Sequence, residues 1–275
     1  MTKPQPSIKV NVDVTNPGQF FACCGLLELA DRLWPGAEGW FEEGVFCISG
    51  SGVQLPALLE ASQSCIAFGD DNITDDDESD DDDEAAIVAP ILLDPPFCLR
   101  LDWWAEKSLK TWAGSMKVEV IALAMSRAID PKLQDPFTHT QIVYTPQSPR
   151  DGSRNRKLKK REPFYFDSRR GPNSHSRDVG FSVDKVKTMK THCSPVTEFM
   201  CLVGLQRFRP RPLLQPRHFS YCTWTIPCDV QIAPAYCAGL ISELGATQYR
   251  FINAFRTGQK KHKAFLPAVP LQETR

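Results

Sequence analysis

The hydrophobic pattern at the start of the chain predicts a strand followed by a helix. Apolar residues alternate with polar ones over residues 7–14, as they do in a half-buried strand. Asn16 is then suited to cap a helix, Pro17 to occupy its first position, and Gln19 to complete a capping box from the third. Apolar residues recur at helical spacing until Pro35, where we expect the helix to end.

The same motif has a second interpretation, as an anion site. Gly18 would let a phosphate approach the N–H groups at the start of the helix. Satisfying the helix's own N-terminus explains the other residues of the motif. A structural role is therefore the favoured interpretation.

Similar patterns predict further short elements along the rest of the chain. Strands are expected at residues 40–48, 87–93, 97–103, 164–166, 179–183, 219–226 and 248–255. Helices are expected at residues 56–64, 116–129, 195–205 and 234–244. Since no regular repeat occurs, the mixture predicts an α+β fold in which mixed sheets and several short helices form one compact body.

An acidic run interrupts this pattern at residues 70–84, which contain 11 Asp and Glu residues. Like charges repel and too few apolar residues are present to offset the entropy of ordering, so we expect a disordered loop. Three interpretations of this loop remain open: it is a plain solvated loop, it mimics nucleic acid, or it binds a basic partner. The expected organisation is an N-terminal α+β part at 1–69, this loop, and a basic α+β nucleic-acid-binding part at 85–275.

The composition of the 275-residue chain favours a cytoplasmic protein without a metal or other cofactor. No stretch approaches the roughly 18 uninterrupted apolar residues of a membrane span, and the first residues lack a signal-peptide pattern. Several of the ten cysteines, among them Cys23, Cys24, Cys201 and Cys237, lie among apolar residues, which favours buried free thiols in a reducing compartment. The absence of any Cys-x-x-Cys argues against a zinc site.

A net charge of -1 conceals a strong segregation of charge along the chain. Residues 1–99 hold 3 basic and 19 acidic residues, so residues 100–275 hold the remaining 29 basic and 14 acidic ones. Such asymmetry is typical of a protein that binds a polyanion and carries an acidic appendage.

The basic residues of the second half form three clusters, around residues 146–190, 207–211 and 250–263. In the first cluster, 13 cations and 5 acids accompany the aromatic run at 164–166. Arginine and lysine suit phosphates and exposed rings suit unstacked bases, although the spacing of Phe164 and Phe166 also suits a buried sheet face. We predict nucleic-acid binding by Arg154, Arg156, Lys157, Lys159, Lys160, Arg161, Arg169, Arg170, Arg177, Arg207, Arg209, Arg211, Arg250, Arg256, Lys260, Lys261 and Lys263.

Motifs for catalysis are missing from the chain. It contains no Walker A loop, no Gly-x-Gly-x-x-Gly, no His-Glu-x-x-His and no Gly-x-Ser-x-Gly. We therefore expect a protein that is not an enzyme and has no catalytic or metal-binding residues. A nuclease that uses scattered groups such as His175, Asp178 and His192 is the remaining catalytic hypothesis.

Several blocks, taken in order, resemble one family of proteins. They are residues 16–21, 26–30, 169–171, 175–181, 204–210, 253–256 and 259–263, which together span most of the chain. In this order and spacing they resemble the short Csb-type, large-subunit-like proteins of type I-U (I-G) CRISPR-Cas systems. The acidic run is not part of the resemblance.

The resemblance implies a role in antiviral defence, as a component of an RNA-guided surveillance (Cascade) complex. Such a subunit would bind guide RNA and target DNA near the protospacer-adjacent motif and help to recruit the nuclease-helicase. The expected partners are guide RNA, target DNA, other Cas effector subunits and the nuclease-helicase, and no membrane is expected. An RNA-binding backbone or guide-processing subunit of the same complex is the alternative.

Overall fold

The computed structural model describes residues 3–66, 89–113, 116–145, 160–170, 192–242, 245–256 and 262–271. The acidic run at 70–84 and the strand predicted at 179–183 lie outside the described residues. Helices and small antiparallel sheets alternate along the described chain and share one core. The predicted α+β class and single compact body are therefore confirmed.

A three-stranded antiparallel sheet in the order β1-β3-β2 opens the fold. Its strands are β1 (Ile8–Asn11), β2 (Glu38–Glu42) and β3 (Val45–Ser49). The single strand predicted at 40–48 was wrong, because Glu43 and Gly44 have positive φ values of 48° and 79° and turn the chain. Two consecutive residues of positive φ are what a two-residue hairpin loop requires.

Helix α1 (Pro17–Leu33) connects β1 to this hairpin and confirms the predicted N-cap. The Oδ1 atom of Asn16 accepts a hydrogen bond from the backbone N–H of Gly18 at 3.1 Å. The predicted capping box was wrong, because Gln19 accepts from the backbone N–H of Asp13, at 2.8 Å, instead of reaching Asn16. The N–H of Asn16 already donates to the Asp13 carbonyl, at 2.9 Å.

The other α-helices of the described chain are α2 (Leu55–Ser64), α3 (Val118–Arg127), α4 (Pro195–Arg207) and α5 (Ala233–Cys237). The helix predicted at 234–244 is much shorter than expected. Helices α1 and α4 pack closely because each has a glycine at the crossing. A Cβ atom on Gly25 would overlap the Met200 carbonyl, and one on Gly204 would overlap the Phe21 carbonyl.

The C-terminal sheet is antiparallel and contains five strands, in the order β10-β8-β7-β6 with β9 also paired to β8. Its strands are β6 (Arg211–Pro212), β7 (His218–Cys222), β8 (Gln248–Phe255), β9 (Lys263–Phe265) and β10 (Val269–Pro270). A separate hairpin joins β4 (Ile91–Leu93) to β5 (Leu99–Leu101). Phe219, Tyr221, Tyr249 and Phe251 alternate along β7 and β8 and are buried, so one face of the sheet covers the core.

The core joins the N-terminal and C-terminal parts of the chain. Phe20 of α1 stacks on Phe41 of β2, with ring centroids 5.1 Å apart, and on Tyr221 of β7, at 4.2 Å. The indole N–H of Trp224 donates to the carbonyl of Gly39 at 2.7 Å. The two sheets therefore both pack against helix α1.

The aromatic residues near position 165 also belong to this core. Phe164 and Phe166 are fully buried and stack on each other with centroids 5.3 Å apart. The strand predicted at 164–166 was wrong, since these residues join no sheet. Their buried rings are unavailable to nucleic-acid bases, as the alternative interpretation of their spacing predicted.

The predicted buried free thiols are confirmed for Cys23, Cys24, Cys201 and Cys237. Burial raises the pKa of Cys23, Cys24 and Cys201 well above the ordinary value for a thiol. In the part of the chain that the structure describes, no helix combines the length and apolar character needed to cross a membrane.

Candidate nucleic-acid interface

Arg169 lies in a partly buried ion pair with Asp167. Its Nη2 atom is 2.5 Å from Oδ2 of Asp167 and donates to the carbonyl of Phe137 at 2.7 Å. Burial acts to lower the pKa of Arg169, but hydrogen bonding and the charge of Asp167 outweigh it and raise that pKa above its ordinary value. This guanidinium is therefore engaged in the fold.

A network of buried polar groups around Asp167 joins two of the sequence blocks. The side chain of Asn16 donates to Asp167 at 2.8 Å and accepts from the backbone N–H of Ser168 at 3.0 Å. The carboxylate of Glu198 accepts from the backbone N–H groups of Phe166 and Asp167, each at 3.2 Å. These bonds hold the segment before Arg169 against the N-terminal turns of α1 and α4.

The network also explains the glycine at the start of α1. A Cβ atom on Gly18 would overlap the Phe166 carbonyl, so only glycine permits this close approach. Both Asn16 and Gly18 are buried. The structural interpretation of this motif is confirmed.

Arg207, the last residue of α4, and Arg209, two residues after it, have acidic partners. The Nε atom of Arg207 is 2.5 Å from Oε2 of Glu28, whose side chain is only 2% exposed and also pairs with Arg32 at 2.9 Å. The Nη1 atom of Arg209 is 3.6 Å from Oε2 of Glu106. Burial lowers the pKa of Arg209, and the nearby carboxylates oppose that effect.

Lys160 and Arg161 are also engaged inside the protein. The Nζ atom of Lys160 is 2.8 Å from Oε1 of Glu162. Arg161 is buried, and its Nε atom donates to the hydroxyl of Thr145 at 3.2 Å. Lys160 and Arg161, both predicted as nucleic-acid contacts, therefore have polar partners within the fold.

Arg211 and Arg250 have the opposite environment, since both are exposed on the C-terminal sheet. Arg211 of β6 pairs in register with Ser220 of β7, and Ser220 pairs with Arg250 of β8. Residues paired in this way project from the same face of an antiparallel sheet. With a strand spacing of about 4.8 Å, the two arginines begin about 10 Å apart.

We call this surface the sheet face and define it by the residues that lie on the same side of the sheet as these arginines. They are Arg211, His218, Ser220, Cys222, Gln248, Arg250, Ile252, Ala254 and Val269. None of the residues in the five described strands is acidic. The described strands therefore bring two exposed arginines to the sheet face and contribute no carboxylate to it.

A second cationic group, the lysine cluster, lies at the end of β8 and the start of β9 and consists of Lys107, Lys110, Arg217 and Lys263. The Nζ atom of Lys263 donates to the carbonyl of Lys107 at 3.3 Å. The guanidinium carbon of Arg217 lies 4.4 Å from the ring centroid of Phe255, which pairs in register with Lys263. Only Lys263 was predicted as a contact.

Sequence reasoning missed Lys107, Lys110 and Arg217 because each is an isolated cation in its own segment. Their proximity depends on tertiary contacts between residues more than 100 positions apart, such as Lys263 with Lys107. A local pattern therefore offers no signal for this group. Arg256, which was predicted, is buried instead, with its guanidinium carbon 3.3 Å from the ring centroid of Tyr165.

The remaining predicted contacts lie outside the described residues. These are Arg154, Arg156, Lys157, Lys159, Arg177, Lys260 and Lys261, and only the backbone of Arg170 is described, in the 3-10 turn Ser168–Arg170. His175 and Asp178, named for the nuclease hypothesis, also lie outside. Within the described ranges, no three metal-ligating side chains are grouped so that they could hold an ion.

Comparisons of the chain with protein-family models, with curated proteins and with solved structures found no match.

Proposed function

We propose that this protein is a non-catalytic, large-subunit-like component of a type I CRISPR RNA-guided surveillance complex in the cytoplasm. It binds guide RNA or target DNA near the protospacer-adjacent motif and supports recruitment of the nuclease-helicase. The sheet face carries the nucleic-acid part of this proposal, because it presents two exposed arginines on strands that contain no acid. The assignment to this kind of complex rests on the resemblance of the sequence blocks.

The arrangement of those blocks in the fold supports treating them as parts of one structural unit. The block at 16–21 contacts the segment leading to 169–171 through Asn16 and Asp167. The block at 204–210 contacts 26–30 through the pair of Arg207 and Glu28. Blocks separated by more than 100 residues therefore meet in space.

The chemistry of the sheet face suits a nucleic-acid backbone. Guanidinium groups donate paired hydrogen bonds to phosphate oxygens and remain charged at any physiological pH. Two such groups about 10 Å apart can contact different phosphates of one strand. The surface then supplies position and affinity, and base pairing by the guide supplies most of the sequence specificity.

The experiment compares the wild type with the variant Arg211→Glu/Arg250→Glu, each coexpressed with the Cas subunits and guide RNA. The control, Lys9→Glu/Lys132→Glu, reverses two exposed charges away from the sheet face. We expect at least tenfold weaker nucleic-acid binding for the first variant only. The slope of log affinity against log salt should become shallower by about 2, because two phosphate contacts are lost.

Equal salt slopes for both double variants would remove the sheet face from the proposal. Purification of the wild type without any Cas subunit or nucleic acid would overturn the assignment to the complex. If the isolated protein instead binds and cleaves guide repeat RNA, the guide-processing alternative is the correct one.

A further inference from the structure

We propose that the lysine cluster is a phosphate-binding site, distinct from the sheet face. Its ligand is a phosphate group of a nucleic acid, either an internal phosphodiester or a terminal monoester. The inference rests on the proposed function, because it assigns a second contact point to the same nucleic acid. It adds Lys107, Lys110 and Arg217 to the residues that hold the ligand.

The cluster is built by contacts around Asn253, which is fully buried in β8. The Nδ2 atom of Asn253 donates to the carbonyls of Ser108, at 3.1 Å, and Lys110, at 3.5 Å. The backbone N–H of Asn253 donates to the carbonyl of Arg217 at 2.9 Å. One residue thus fixes the two loops that supply the cations.

Lys263 completes the cluster from the adjacent strand β9. Its backbone N–H donates to the carbonyl of Thr111 at 2.7 Å, which aligns β9 with the loop carrying Lys107 and Lys110. The Nζ atom of Lys110 lies 5.5 Å from the ring centroid of Trp112, and the Lys110 residue is only 7% exposed. A lysine is seldom buried to this degree without a compensating charge.

The positive charges of the cluster repel one another. Burial, followed by the charges of Lys107 and Lys263, lowers the pKa of Lys110 to about 8. Burial and then Arg217 lower the pKa of Lys263. The fold therefore places these cations together at an electrostatic cost, which a bound anion would offset.

One further observation favours a ligand at this position. The hydroxyl of Thr111 is buried and has no hydrogen-bond partner among the described residues, and a phosphate oxygen bound beside Lys110 would supply one.

The pH dependence of binding provides the test. Between pH 7 and pH 9 a lysine with a pKa of about 8 changes from mostly charged to mostly neutral. A phosphate binds the charged form, so the affinity for a short single-stranded thymidine oligonucleotide should fall about tenfold across this range. Titration by fluorescence anisotropy at constant ionic strength measures the change.

Three variants separate the site from a structural role of Lys110. Lys110→Met should weaken binding at pH 7 and remove the fall toward pH 9, while Lys110→Arg should keep the affinity and reduce the fall. Lys132→Met, which removes an exposed lysine elsewhere, should behave as the wild type. Oligonucleotides with a 5′-phosphate and a 5′-hydroxyl distinguish a terminal ligand from an internal one.

Equal affinities of the wild type at both pH values, with Lys110→Met binding like Lys132→Met, would overturn the site and leave the proposed function intact. Calorimetric titration with inorganic phosphate tests whether the site exists even if the protein does not bind nucleic acid. If phosphate binds in a manner that Lys110→Met abolishes while no oligonucleotide binds, the site stands and the proposed function falls. Absence of binding to both probes refutes the site.

Discussion

Arg207 lies against a nearly buried carboxylate, while Arg211, four residues further along, is exposed on β6. Replacing Arg207 by Gln leaves Arg32 as the cation paired with Glu28 among the described residues. Since an under-compensated buried charge is costly, we expect Arg207→Gln to lower the free energy of unfolding by about 1–3 kcal/mol. The matched variant Arg211→Gln should change it by less than about 0.5 kcal/mol.

Urea denaturation of both variants, followed by far-UV circular dichroism, measures this difference. Without urea, and at a temperature low enough for the variant to remain folded, Arg207→Gln should retain its affinity for nucleic acid. Equal stabilities of the two variants, or a loss of binding by Arg207→Gln as large as that of the sheet-face variant, would contradict this division of roles.

The separation of structural from surface arginines could not be predicted from the sequence. Arg207 and Glu28 are 179 residues apart, and no local pattern identifies the carboxylate as a partner. The N-cap at Asn16 was predictable because all of its partners lie within a few residues. Gln19 was assigned the wrong partner because the turn at Asp13 competes for its side chain.

At the scale of elements, the crossing of α1 and α4 depends on the absence of two side chains. We expect Gly25→Ala to lower the free energy of unfolding by about 3 kcal/mol or more, because its Cβ would overlap a backbone carbonyl that cannot move independently. The control Gly36→Ala has open space around the new methyl group but a φ of 89°, which costs about 1–2 kcal/mol. Thermal and urea unfolding compare the two, and a smaller effect at Gly25 than at Gly36 would refute this account of the crossing.

Elements governed by local signals were predicted better than those governed by distant partners. The start of α4 at Pro195 and the end of α1 before Pro35 follow directly from proline and capping chemistry. The alternating aromatics at 164–166 predicted a strand, but the backbone N–H of Phe166 donates to Glu198 instead of to a neighbouring strand. The Glu198 carboxylate thus takes the place of a neighbouring strand as hydrogen-bond acceptor. The alternation of aromatic residues in the sequence does not indicate this partner.

At the scale of the molecule, the charge asymmetry predicted a cationic surface but not its position. The sheet face requires the register of β6, β7 and β8, which places Arg211 and Arg250 in one row across Ser220. The lysine cluster requires contacts between residues that are far apart in the sequence, such as Lys107 and Lys263. The α+β class, which depends on the sum of local patterns, was predictable for that reason.

The shared core leads to a prediction about the division of the chain at the acidic run. Residues before and after it contact each other through Tyr221, whose hydroxyl donates to the carbonyl of Val14 at 2.7 Å, and through paired Gly39 and Cys228. A protease site inserted within residues 70–84 and then cut should therefore leave the two fragments associated. Because α1 and α4 belong to different fragments yet share one core, both fragments should also unfold in a single transition.

Size-exclusion chromatography before and after cleavage tests the association, and urea denaturation followed by both tryptophan fluorescence and circular dichroism tests the cooperativity. Coincident midpoints for the two probes are the expected result. Elution of a separate N-terminal fragment, or two resolved transitions, would mean that the parts before and after the acidic run are independent domains. In that case the contacts of Arg207 with Glu28 would be those of a domain interface instead of a common core.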